Sequence, residues 1–139
     1  MRLMHDEFLI GVTGVFLDDK NRVFLVRHTY RGGWSLPGGY IKAGEHPKES
    51  LEREVLEETG LTVSVDTRLK IRTDRAHARL DIAYMGTYIG GDFVPSNEVT
   101  EVALFPFEQL PGVSRDQLHF IDQAIEMRKE KRYLTSVNS

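Results

Sequence analysis

The sequence predicts an α/β domain in which one mixed β-sheet lies between helices on its two faces. Three observations carry this. Apolar, β-branched runs of strand length come first. A short segment with helical start and stop signals follows. Further strand-like runs then precede a long amphipathic segment near the C-terminal end. The 139 residues suit a single domain, 1–139, long enough to bury a substantial core.

Phe8 to Leu17 (FLIGVTGVFL) reads as a mostly buried strand, and Asp18-Asp19-Lys20-Asn21 is turn chemistry. Arg22 to Thr29 returns as the partner strand of a hairpin. Tyr30 to Gly33 is a loop, and Trp34-Ser35-Leu36 a short strand ended by Pro37-Gly38-Gly39. The helix then spans Pro47 to Thr59. His46 stands as N-cap, Pro47 at the first helical position, Glu49 three residues past the cap, and Gly60 at the left-handed stop. Leu61 to Asp66, Arg79 to Ile89 and Val99 to Phe105 are the remaining strands. Ser114 to about Arg132 is the second helix, with Leu118, Ile121, Ile125 and Met127 facing inward. Residues 133–139 are expected to form a flexible tail, frayed from Leu134 onward.

Composition excludes several classes. The formal charge is −3 and the pI about 5.9, with no basic patch to bind nucleic acid or an anionic membrane. There is no cysteine, hence no disulfide and no thiolate metal site. His5, Asp6 and Glu7 interrupt the N-terminal stretch before it resembles a signal peptide, and no run approaches the ~20 apolar residues of a membrane span. A cytoplasmic protein without a DNA-binding module is expected. Its oligomeric state is open, a homodimer included.

The first helix breaks local rules. At about 100° per residue, Glu54, Glu57 and Glu58 fall within roughly a 100° arc. Like charges at i, i+3 and i+4 repel, and Glu57 and Glu58 also meet the negative end of the helix dipole. Leu51 and Val55 border the arc, which puts the carboxylates at the core boundary. Crowded carboxylate oxygens on a rigid element suit a hard cation such as Mg²⁺ or Mn²⁺. Taken alone, the helix also fits a solvated acidic face offset by Lys48 and Arg53.

What precedes the helix bears on that choice. Gly39, five residues, Glu45, seven residues, then Arg53-Glu54-Val55-Leu56-Glu57-Glu58-Thr59-Gly60-Leu61 resembles the Nudix (MutT-like) box, G-x5-E-x7-R-E-U-x-E-E-x-G-U. Every specified position matches over 23 residues. The resemblance implies a Nudix-type α/β/α sandwich. It implies a hydrolase acting on acid anhydrides, which cleaves the pyrophosphate of a small nucleotide-type substrate such as a nucleoside triphosphate or nucleotide sugar. It also implies Mg²⁺ (or Mn²⁺) bound by Glu54, Glu57 and Glu58, with the Gly39 carbonyl as a further ligand. Arg53 would pair with box carboxylates, Glu45 would anchor the loop, and Val55, Leu56 and Leu61 would pack. The metal would neutralise the phosphates and activate water, and a glutamate would serve as general base. Glu54 and Glu57 inside the box and Glu98 downstream are candidates. Glu98 is preferred to Glu101, because it lies where the Pro95-Ser96-Asn97 turn meets the strand.

Candidate substrate contacts are Arg27, Trp34 and Arg79, with Arg31 and Arg75 as further cations. Trp34 could stack on a base or simply pack. His28, His46 and His77 lack metal-ligand spacing with one another. The Nudix-fold isopentenyl-diphosphate isomerases require a cysteine this chain lacks. A non-catalytic nucleotide-sensing Nudix domain is the alternative, one in which box glutamates are often lost. The positions 15 and 16 past the box are Ala76 and His77, not the Pro or Tyr that mark ADP-ribose and diadenosine polyphosphate hydrolases, so the nucleotide is left unnamed.

Overall fold

The computed structural model describes residues 9–30 and 32–138; Phe8, Arg31 and Ser139 lie outside the described residues. Seven strands form one mixed sheet: β1 Leu9–Leu17, β2 Arg22–His28, β3 Trp34–Ser35, β4 Gly38–Tyr40, β5 Leu61–Asp74, β6 Arg79–Gly91 and β7 Val99–Pro106. Helix α1 (Pro47–Thr59) covers one face and α2 (Arg115–Asn138) the other.

The sheet is split like a wedge. β1 and β2 form the expected hairpin, yet they pair only at Leu17↔Val23, beside the turn. From there β1 turns to β4 on one side and to β6, in parallel, on the other. β2 turns to β3 and β7. The Leu36-Pro37 link between β3 and β4 ties the two halves: Gly14 N–H and Thr13 Oγ1–H both donate to the Pro37 carbonyl, at 3.1 and 3.0 Å.

Strand alternation sorts the side chains into two cores. Val12 and Phe16 of β1, with Ile82 and Tyr84 of β6, join Leu51 and Val55 of α1. Val15 and Leu17, with Ala83, join Phe120, Ile121, Ala124 and Ile125 of α2. Burial on both faces explains why β1 reads as an almost unbroken apolar run.

Several boundaries differ from the sequence reading. Gly38-Gly39 belong to a strand, not to a terminating turn; without side chains they give no alternation to read. β5 continues past Asp66 to Asp74, because three register shifts against β6 disturb the pleat pattern that would have revealed it. α2 does not end near Arg132: the backbone of 133–138 is helical. Its inner face is Phe120, Ile121, Ala124 and Ile125, whereas Leu118 and Met127 are exposed. Arg128 fixes that rotation by donating from Nη1 to the Asp18 carbonyl (2.7 Å) and Asn21 Oδ1 (3.0 Å). Leu56, expected to pack, points outward, since Leu51, Val55 and Thr59 at i, i+4 and i+8 form the buried stripe of α1.

Candidate active site

The site begins with how α1 is pinned. His46 caps it by accepting the Lys48 N–H on Nδ1 (3.2 Å), and Gly60 ends it at φ 76°. Glu52 accepts the Val65 N–H at 2.8 Å and so ties the helix to β5. Arg53 binds three acids of the same region. It donates from Nε and Nη2 to Glu45 (2.5 and 2.9 Å) and from Nη1 to Glu57 (2.6 Å), and it approaches Glu54 at 3.2 Å. A planar guanidinium is the cation suited to this forked arrangement. Its hydrogen bond, followed by that from the Lys42 N–H, holds the Glu45 carboxyl down to about 2. The loop from β4 is thereby locked to the helix.

β4 in turn meets the helix at Gly39. A β-carbon there would stand 2.8 Å from Glu54 Cδ and 3.0 Å from its Oε2. Only a glycine lets this strand lie against the Glu54 carboxylate.

Glu54, Glu58 and Glu98 come together at a cleft of about 730 Å³. The cleft opens where the wedge between β1 and β2 is widest, and Gly38, Gly39, His28 and Tyr30 also line it. Burial first, then hydrogen-bond contact with Glu98 and with Glu54, pushes Glu58 up to about 9. Crowding by two other carboxylates thus disfavours the charged form of Glu58. Glu98 arrives from 40 residues downstream of Glu58 because the Thr29 N–H donates to its carbonyl at 2.9 Å, fastening the β7 entry to the end of β2.

The remaining sequence candidates separate. Glu57 does not line the cleft; it faces outward, its side chain 55% exposed, and is held by Arg53. Glu101 lies on the β7 surface, paired with Arg27 at 3.0 Å. Arg27 and Trp34 do not line the cleft either. The Arg27 guanidinium sits 4.8 Å over the Trp34 ring, and Trp34 packs edge-on against Phe105. The β2–β3 pairing Arg27↔Trp34 turns both toward each other instead. Arg79 does line the cleft, bonded to Asp81. Arg75 lies in the β5–β6 turn. Asp81, Arg72, Asp116 and Gln117 also line the cleft, and the sequence reading missed them. The one available signal was an acid in the otherwise apolar run Leu80-Asp81-Ile82-Ala83-Tyr84-Met85.

The chemistry of this donor set fits a hard divalent cation. The half-buried Glu54 and Glu58 meet the exposed Glu98 at one place in the cleft, and a backbone strand lies against Glu54. Among the described residues no three acidic or histidine side chains already stand as a metal cage.

Comparison with known proteins decides the family. The model of the NUDIX domain matches residues 7–125. The chain belongs to the NUDIX family. Among NUDIX relatives, the human 8-oxo-dGDP phosphatase NUDT18 is 31% identical over 131 residues, 88% of this chain but 40% of that protein. An ADP-ribose pyrophosphatase from Methanocaldococcus jannaschii is 30% identical over 115 residues, 77% of this chain and 67% of that one. The chain thus spans less than half of the human relative. The fold is shared with a NUDIX hydrolase from Nitrosomonas europaea (TM-score 0.78, 23% identity, covering 89% of this chain and 73% of that one). It is shared also with a UDP-X diphosphatase (TM-score 0.75, 22% identity, covering 92% and 66%). The α/β/α sandwich expected from the box is therefore the fold observed. Among the described residues no helix is long and apolar enough to cross a membrane.

Proposed function

We propose that this protein is a pyrophosphohydrolase that uses Mg²⁺ or Mn²⁺ to cleave the pyrophosphate linkage of a nucleoside diphosphate derivative. The convergence of Glu54, Glu58 and Glu98 at the cleft carries this reading. The activities named for the relatives, on 8-oxo-dGDP and ADP-ribose, support the substrate class.

In this reading Glu54 and Glu58 would hold the metal together with the Gly39 carbonyl. Glu57 contributes from the flank, where Arg53 holds it now. A divalent cation held there would neutralise phosphate charge and lower the pKa of a bound water. Water attacks phosphorus in line, a P–O bond forms, and the anhydride P–O bond opposite breaks. Glu98 accepts the proton lost by the water. Its place just before β7, rather than on α1, lets it reach the site from a separate segment of the chain. Arg53 touches no substrate; it positions Glu54 and the β4–α1 loop.

The test is release of nucleoside monophosphate from a panel: 8-oxo-dGDP, 8-oxo-dGTP, ordinary nucleoside di- and triphosphates, ADP-ribose, nucleotide sugars and dinucleoside polyphosphates. Turnover of one or more that requires Mg²⁺ or Mn²⁺ and stops with EDTA is expected. A melting temperature raised by the cation is expected alongside, since binding to the native state stabilises it. No turnover with any member, in either metal, would overturn the proposal.

A further inference from the structure

The floor of the cleft holds a second feature that hydrolysis does not use. On the α2-facing side, β1 presents Leu17, Val15, Thr13 and Gly11 in alternation, and β6 presents Met85, Ala83 and Asp81. Val15, Leu17 and Ala83 are core beneath α2, with Met85 packed against them. The apolar cover on this row ends with Phe120, and Asp81 and Gly11 lie beyond it in the cleft wall. An acid thus continues a core row at the point where the helix stops covering it.

Asp81 is oriented by its surroundings. Arg79 Nε donates to Oδ2 at 3.0 Å. The other oxygen, Oδ1, lies over Gly11, at 2.6 Å from where a β-carbon would be. That same point is 3.8 Å from the Gly39 carbonyl. The carboxylate therefore occupies space cleared by a glycine, one strand from the segment that abuts Glu54. Arg72, directly opposite Asp81 on β5, is paired with Asp116 of α2. Gln117, one residue on, accepts the Leu36 N–H on Oε1 at 3.0 Å, which leaves its NH₂ as a donor on a fixed side chain in the same wall.

We propose that Asp81 is the specificity-determining residue of this cleft and that it reads a guanine-type base; this rests on the hydrolase reading above. An ionised carboxylate only accepts hydrogen bonds. Guanine offers it two adjacent donors, the ring N1–H and the exocyclic amino group, which 8-oxoguanine retains. Adenine and cytosine place a ring acceptor beside their amino group, and uracil and hypoxanthine offer one N–H. The carbonyl O6 next to the guanine donors suits the Gln117 NH₂. The base then lies on the α2 side of the wedge, and its phosphates extend through the opening toward Glu54, Glu58 and Glu98.

The experiment has two readouts on wild type and Asp81→Asn. Binding of GMP, IMP and AMP by calorimetry needs no turnover. Rates on GTP, ITP and ATP follow, with CD and melting curves to confirm folding. Wild type is expected to favour GMP over IMP and AMP by about tenfold or more, the size of a lost charge-assisted hydrogen bond. Asp81→Asn removes that preference while AMP binding changes little. Equal binding of GMP and IMP by wild type would overturn the assignment, as would a uniform loss across all bases in the variant. Absence of turnover with normal base ranking would count against the hydrolase reading alone.

Discussion

Gly39→Ala isolates the positional part of the site from its chemistry, because it removes no charge and no ligand atom. The added methyl carbon would lie 2.8 Å from Glu54 Cδ and 3.0 Å from Cγ and Oε2. Comfortable contact between heavy atoms is about 3.5–4.0 Å, so the Glu54 side chain must retreat by about 0.7 Å or more. It can do so, since it is partly exposed and bounded on one side by cleft. The stability cost then belongs at the low end of overpacking, about 1 kcal/mol, which for a domain of this size is about 3–5 °C in melting temperature. The catalytic cost is larger: misplacing a group by about 1 Å can lower the rate about 10²-fold. Gly112→Ala is the control, as its β-carbon would meet nothing within 4 Å. The assay pairs kcat and KM at saturating Mg²⁺ with melting curves, on a substrate the wild type hydrolyses. A Gly39→Ala enzyme with wild-type kcat would refute the argument that β4 sets the Glu54 position. A collapse of melting temperature far beyond the control would refute the claim that the glycine matters to the site rather than to the strand.

Other perturbations separate residues that the sequence presents alike. Glu98→Gln should lower kcat/KM about 10²-fold or more, as expected for loss of a positioned base, whereas Glu101→Gln removes only an exposed pair with Arg27 and should leave it within about threefold. The rise of melting temperature with Mg²⁺ should disappear in Glu58→Gln and largely survive in Glu57→Gln, because Glu58 is inside the cluster and Glu57 is held outside it; differential scanning fluorimetry with a metal series checks both. Glu45 predicts an acid signature. Its folded carboxyl is depressed to about 2 from an ordinary value of 4.5, so its contribution is full above about 4.5 and is lost as pH falls toward 2. Glu45→Gln should therefore melt below wild type at neutral pH, and the gap should close between those two pH values; a gap constant with pH would deny the Arg53 pairing its role.

The sequence alone determined what depends on neighbours along the chain. Helical geometry puts Glu54 next to Glu58 and Arg53 next to Glu57, and a cap, a proline and a glycine mark where that helix starts and stops. These are contacts within about one turn, so spacing is enough to read them. The box added the family, hence the fold. Tertiary structure decided what joins distant segments. It brought Glu98 to Glu58 through the bond from Thr29, and it set the cleft on the side of α1 that Glu57 does not line. It drew Arg27 and Trp34 to each other across β2 and β3. It also opened the wedge between β1 and β2, and so turned Asp81 from an anomaly in an apolar strand into the floor of a cleft. The physical reason is that strand register and the point at which two strands part are set by pairings between segments tens of residues apart, and no local period encodes them.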